Sequence, residues 1–225
     1  MQNFLNKMGA KINGAGGDKI EIQGVKKLKE ISYNIMPDRI ETGTFLCLAA
    51  ASGGKITIKK TNPNHVTPII SKLEEAGCKI NLEKETIKIK GPQKLKAIDI
   101  KTMPYPGFPT DMQSIMAATF ISAKGTTIIV ENIFENRYKY VQELNKMGAK
   151  ITVEGKSAII RGTKKIYGAN IQARDLRGGA ALVLAGLTAK GITIIENIEY
   201  VLRGYENLDK KIRALGGNIE KTEEI

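Results

Sequence analysis

The sequence predicts an α/β fold made of repeated βαβαββ units, with apolar helices buried and sheets outside. Three observations carry that reading. The phrase Leu144-Asn145-Lys146-Met147-Gly148-Ala149-Lys150-Ile151 has three further copies, beginning at Leu5, Leu73 and Ile212, so successive copies lie 68, 71 and 68 residues apart. An alternating strand pattern returns at residues 19–24, 86–91 and 157–162. An aspartate (Asp38, Asp111 or Asp175) stands before an apolar run in each full repeat. A period near 70 is too long for short solenoid repeats and suits one compact α/β unit per copy.

Each element follows from a local rule. The repeated phrase reads as the last turn of an amphipathic helix, a glycine cap and the start of a strand. Glycine suits that cap because it enters the left-handed region without a Cβ clash. Each aspartate reads as an N-cap whose carboxylate accepts orphan backbone N–H groups. The runs behind them, Phe45–Ala51, Ile115–Ala118 and Ala180–Ala185, are apolar nearly all round, which predicts burial on every side. They are expected to stop at Gly53-Gly54, Gly125 and Gly191, and strands are expected at 55–58, 126–130 and 192–195. One unit is then strand, buried helix, strand, amphipathic helix, strand, strand, and three such units fill about residues 25–225. The copy at Leu5–Ile12 closes a unit whose front is not in the sequence. The expected division is therefore 1–36 as a remnant of one unit and 37–225 as a lobe of three.

Composition narrows the function classes. The chain has 225 residues, 35 basic against 23 acidic, and a net charge of +12. The lysines are spread over every repeat, aromatics are 5%, and there is no arginine-rich tail, which favours a solvated surface or a small anion over a nucleic-acid groove. Cys47 lies in an apolar run and Cys78 takes the slot filled elsewhere by Ala10, Ala149 and Gly217, so both read as packing residues. With one histidine, His65, the usual ligand spacings assemble no metal site, and no cofactor is expected. No apolar run approaches the ~20 residues of a membrane span. No secretory signal pattern is present, so a cytoplasmic location and no membrane partner are expected.

Two features could carry chemistry. Asp111 follows Pro104-Tyr105-Pro106-Gly107-Phe108-Pro109-Thr110, a rigid turn that fixes where its helix begins. It reads either as a capping carboxylate or as a general base or ligand at a cleft mouth. Arginine is rare, seven residues against 28 lysines, yet Arg39, Arg137, Arg177 and Arg203 gather at helix openings or the loops feeding them. Cations there oppose the helix dipole, which suits a bound anion gripped by guanidinium forks and helix N–H groups. Ordinary pairing with nearby acids explains the placement equally. Gly178-Gly179 admits close approach by a ligand or by another helix.

Met36-Pro37-Asp38-Arg39-Ile40-Glu41-Thr42-Gly43-Thr44-Phe45, Phe108-Pro109-Thr110-Asp111-Met112-Gln113, Phe134-Glu135-Asn136-Arg137, Asp175-Leu176-Arg177 and Arg203-Gly204-Tyr205-Glu206 together resemble the enolpyruvyl transferase family, in its order and across essentially the whole chain. The resemblance implies an inside-out α/β barrel lobe and transfer of the enolpyruvyl group of phosphoenolpyruvate to the 3-hydroxyl of UDP-N-acetylglucosamine, an early step of peptidoglycan synthesis. It implies Asp111 as the base near that hydroxyl and Ile133 as a backbone contact to the uridine sugar. Arg137, Arg177 and Arg203 would grip the carboxylate and phosphate of phosphoenolpyruvate. It also implies that only the C-terminal half of the family enzyme is present, residues 1–36 closing the N-terminal lobe and 37–225 forming the C-terminal one. Neither Cys47 nor Cys78 matches the family's mobile-loop cysteine. Expected partners are the two substrates and a separate N-terminal-half chain, with little activity from this chain alone. A non-catalytic UDP-sugar-binding or regulatory module is the rival reading.

Overall fold

The computed structural model describes residues 1–222; the last three residues of the expected 37–225 lobe lie outside the described residues. The chain divides into two compact units, Met1–Pro37 and Asp38–Ile225. The first holds helix α1 (Gln2–Lys7) and the antiparallel hairpin of β1 (Lys11–Asn13) and β2 (Glu21–Gln23).

The second unit opens with α2 (Arg39–Ser52), β3 (Lys55–Lys59), α3 (Thr67–Glu75), β4 (Lys79–Glu83) and β5 (Thr86–Lys90). Next come β6 (Asp99–Lys101), α4 (Gln113–Thr119), β7 (Thr126–Val130), α5 (Tyr140–Lys146), β8 (Lys150–Glu154) and β9 (Ser157–Arg161). It closes with β10 (Asn170–Gln172), α6 (Leu176–Thr188), β11 (Ile194–Glu196), α7 (Glu199–Leu202) and α8 (Leu208–Ala214).

The six-element unit is complete in the middle repeat. No strand forms between β2 and α2, and none is found after α8 among the described residues. Three sheets result in this unit, in the orders β3-β5-β4, β6-β7-β9-β8 and β10-β11. The β6-β7 and β10-β11 pairs are parallel and the rest antiparallel. Pleating sends alternate side chains to opposite faces. Ile87 and Ile89 of β5, Ile129 of β7 and Ala158 and Ile160 of β9 therefore face the core, while the lysines at 55, 79 and 90 face water.

The helices behave as their apolar runs require. All seven residues of α4 are buried, and α4 packs against both α2 and α6. Gly53 caps α2 in the left-handed region as expected, but α4 stops at Thr119 and α6 at Thr188, short of Gly125 and Gly191. The repeated phrase folds alike in all four copies. Gly9, Gly77, Gly148 and Gly216 all have φ between 88° and 102°. The residue after each glycine donates its N–H to the carbonyl five residues back (Ala10 to Leu5, Cys78 to Leu73, Ala149 to Leu144, Gly217 to Ile212). That is the glycine-capped helix end in which orphan carbonyls are satisfied. In two copies an asparagine adds a clasp: Asn6 and Asn145 each accept from the N–H of Ile12 or Ile151 and donate to its carbonyl, at 2.7–3.0 Å.

Candidate functional site

The three aspartates are not equivalent. Asp38 caps α2, accepting from the N–H groups of Ile40 and Glu41 at 2.7 and 3.3 Å. Asp175 caps α6, accepting from Gly178 N–H at 2.7 Å. Asp111 caps nothing, which corrects the expectation that all three do. It lies inside a 3-10 turn, Thr110–Met112, whose cap position is Pro109. That turn carries its carboxylate away from the α4 N–H groups and toward two guanidinium groups. Arg137 Nη2 donates to Asp111 Oδ1 at 2.6 Å and Arg177 Nη2 donates to Oδ2 at 3.2 Å.

Both arginines are largely buried, with 19% and 16% of their side chains exposed against 37% for Asp111. The carboxylate is thus the wettest member of the cluster. Partial burial works to raise its pKa, but the hydrogen bond from Arg137 and the charges of Arg177 and Arg137 outweigh it and hold the group below its ordinary value.

Arg137 is fixed on two further sides. Its Nη1 donates to Thr110 Oγ1 at 2.7 Å and its guanidinium lies over the Phe134 ring at 4.8 Å. Behind it stands Glu131, fully buried. Glu131 Oε2 accepts from Thr110 Oγ1, and Oε1 accepts from Thr102 Oγ1 and from the N–H groups of Ile133 and Phe134. Four donors on one carboxylate make an enclosed charge tolerable. They also tie the 131–137 loop to the turn that carries Asp111. Ile133, 40% exposed, therefore reaches the cluster through Glu131, with its own N–H already committed.

Arg203 stands apart. It is the C-cap residue of α7, its guanidinium lies over the Tyr200 ring at 5.4 Å, and among the described residues it makes no ion pair. The structure therefore brings Asp111, Arg137 and Arg177 together, links Ile133 to them through Glu131 and Thr110, and leaves Arg203 outside their hydrogen bonds. Gly178-Gly179 serves packing. A Cβ at Gly179 would sit 2.5 Å from Val201 of α7, and one at Gly178 would sit 3.2 Å from Tyr140 Cβ.

Sequence reasoning missed Glu131, Thr110 and Tyr205. Glu131 has a repeat counterpart in Glu196, which is exposed and accepts from Gln172 Nε2 at 2.8 Å, so the shared pattern does not mark the buried one. The signal that could have found Glu131 is the run of hydroxyl and backbone donors at Thr102 and Thr110 in the same repeat. Burial pushes the Cys47 thiol up to about 12 and the Cys78 thiol up to about 11, so both behave as core residues. Among the described residues no group of three or more His, Cys, Asp or Glu side chains could hold a metal ion, and no helix is long and apolar enough to cross a membrane.

Buried helices under outer sheets, with a carboxylate held between two guanidinium groups near the helix openings, describe a lobe of the enolpyruvyl transferase fold. A family model for EPSP synthase (3-phosphoshikimate 1-carboxyvinyltransferase) matches residues 1–212, and the chain belongs to that family. It is 53% identical over 219 residues to UDP-N-acetylglucosamine 1-carboxyvinyltransferase 1 of Caldanaerobacter subterraneus subsp. tengcongensis, covering 97% of this chain and 53% of that protein. It is 50% identical over 220 residues to UDP-N-acetylglucosamine 1-carboxyvinyltransferase of Desulfofundulus thermocisternus, covering 97% of this chain and 90% of that one. Among solved structures, the enolpyruvyl transferase NikO from Streptomyces tendae superposes with a TM-score of 0.85 at 26% identity, over 96% of this chain and 52% of its own. EPSP synthase from Acinetobacter baumannii shares the fold, with a TM-score of 0.75. The chain spans about half the length of the Caldanaerobacter relative.

Proposed function

We propose that this chain supplies the C-terminal wall of a UDP-N-acetylglucosamine 1-carboxyvinyltransferase, with residues 1–36 closing the N-terminal lobe and 37–225 forming the C-terminal one. The observation that carries the reading is Asp111 held between Arg137 and Arg177, on a chain about 50% identical to enzymes of that name. In the reaction, the 3-hydroxyl oxygen of the sugar bonds to C2 of phosphoenolpyruvate, the bond from C2 to the phosphate oxygen breaks, and the hydroxyl proton goes to Asp111. Arg137 and Arg177 neutralise the carboxylate and phosphate, with Arg203 joining them from the end of α7. Ile133 offers its backbone to the uridine sugar.

The resting geometry bears on how Asp111 works. A carboxylate braced by two arginines is ionised at neutral pH but weakly basic. An anionic substrate competes for the same guanidinium groups. As they turn to it, Asp111 loses the charges that depress its pKa and becomes a better proton acceptor. Turnover requires the half of the Caldanaerobacter relative that this chain does not cover, in the same polypeptide or as a second chain, because one wall neither excludes water nor aligns both substrates.

The test is phosphate release by this chain mixed with a polypeptide carrying that remaining half. Release should depend on both substrates and be near background for the 225-residue chain by itself. Steady two-substrate turnover by the chain alone would overturn the need for the second wall. No release from the mixture, with both parts folded, would count against the enzyme reading and favour a binding module.

A further inference from the structure

Arg177 raises a physical question that its ion pair does not answer. Only its Nη2 reaches Asp111; its Nη1 is buried with no hydrogen-bond partner among the described residues. A guanidinium placed this way needs support from something other than a carboxylate. The group beneath it is Tyr205, 1% exposed and among the largest wholly enclosed side chains. The Arg177 guanidinium carbon lies 5.7 Å from the centre of that ring, within the reach of a cation–π contact.

The ring is itself anchored. Tyr205 and Thr44 share a hydrogen bond of 2.8 Å between their hydroxyls, across 161 residues of sequence. Thr44 lies on α2, 7% exposed, and its hydroxyl also bonds the Ile40 carbonyl at 2.9 Å. Gly204 packs against the residue beside Arg177: a Cβ there would fall 2.6 Å from Leu176 Cδ1, so a larger residue would push that leucine side chain aside.

We infer that Tyr205 is a positioning residue: its ring is the floor on which the Arg177 guanidinium is aimed at Asp111, and its hydroxyl, tied to Thr44, locks that floor to α2. Such a floor restrains a long side chain that would otherwise hold several rotamers. It also shields one face of the cation from water, which strengthens the pair with Asp111. Burial raises the pKa of the Tyr205 hydroxyl, and the hydrogen bond with Thr44 and then the charge of Arg177 offset only part of that rise. The inference rests on the proposed role of Arg177 for its functional meaning, but its test does not use turnover.

The test follows the Asp111 carboxyl signal by NMR through an acid titration of the full chain, in the parent and in Tyr205→Leu, Tyr205→Phe and Thr44→Val. The amide fingerprint spectrum reports folding. Tyr205→Leu removes the floor, so the Asp111 midpoint should rise toward that of an unpaired carboxylate. Tyr205→Phe and Thr44→Val keep the ring and remove only its anchor, so each should give a smaller rise, equal to the other. A folded Tyr205→Leu variant with an unmoved Asp111 midpoint overturns the inference. If that variant does not fold, the other two decide it: a matching rise supports the floor, and two unmoved midpoints overturn it. Failure of the reconstituted turnover would leave every one of these midpoints where it is, so the two claims fail separately.

Discussion

Asp38, Asp111 and Asp175 stand at matching places in three repeats, and the molecule uses them in two ways. Asp38 and Asp175 each turn inward to the N–H groups of their own helix. Asp111 turns outward to side chains of the 131–137 loop and of α6. The difference begins with the backbone. Asp38 and Asp175 are extended cap residues directly before a long helix, whereas Pro109 and the Thr110–Met112 turn set Asp111 inside the helical register. A capping carboxylate is consumed locally. One displaced by a single turn becomes available to the rest of the molecule. A repeat can therefore become a site with its composition almost unchanged.

The two kinds of aspartate separate most sharply at turnover. With the other half supplied, Asp111→Asn should lower the rate by about 10²–10⁴-fold, the usual yield of a positioned base. Phosphate release measures it, and a loss under ~3-fold would put Asp111 outside the chemistry. Stability sharpens the same contrast. Glu131→Leu strands the donors of Thr102, Thr110, Ile133 and Phe134, and should cost about 3 kcal/mol by urea unfolding, since abandoned buried donors are expensive. A cost below ~1 kcal/mol would mean the carboxylate does not organise the loop. Asp38→Ala and Asp175→Ala each remove a helix cap and should cost ~1 kcal/mol, with Asp38→Ala sparing most of the reconstituted rate.

The smallest effect is with pH. The folded pKa of Asp111 is depressed, so the stability it contributes is full above the ordinary carboxylate value of about 3.9 and is lost as pH falls through the folded value. Because Asp111 is partly exposed, salt and water screen most of this. Urea midpoints for the parent and Asp111→Asn should converge as pH drops below ~4 and separate slightly above it. Convergence on raising the pH would reverse the sign and contradict the pairing.

Much of the fold was legible because it follows from short-range rules. Four glycine caps, three apolar helices and the strand pattern that returns in β5 and β9 depend on residues within one turn or one pleat of each other. Helix ends were less legible: α4 stops at Thr119 because the chain tightens through Phe120–Ala123 before reaching Gly125. The strand before α2 is absent because residues 24–38 find no partner strand, and pairing is a long-range event that a local pattern cannot express. The site divides in the same way. The arginines stood out by rarity, but Asp111 carried the same local signature as two true caps. Glu131 resembled its exposed counterpart Glu196, and Tyr205 meets Thr44 only after 161 residues have been folded into place.

The most direct test sets the matched aspartates against each other in one assay: two-substrate phosphate release by the reconstituted protein carrying Asp38→Ala or Asp111→Ala. Asp111→Ala should abolish release while the protein stays folded, and Asp38→Ala should lose stability but keep most of the rate. Equal losses of rate in the two variants would contradict this, because the repeat would then be using both aspartates for the same thing.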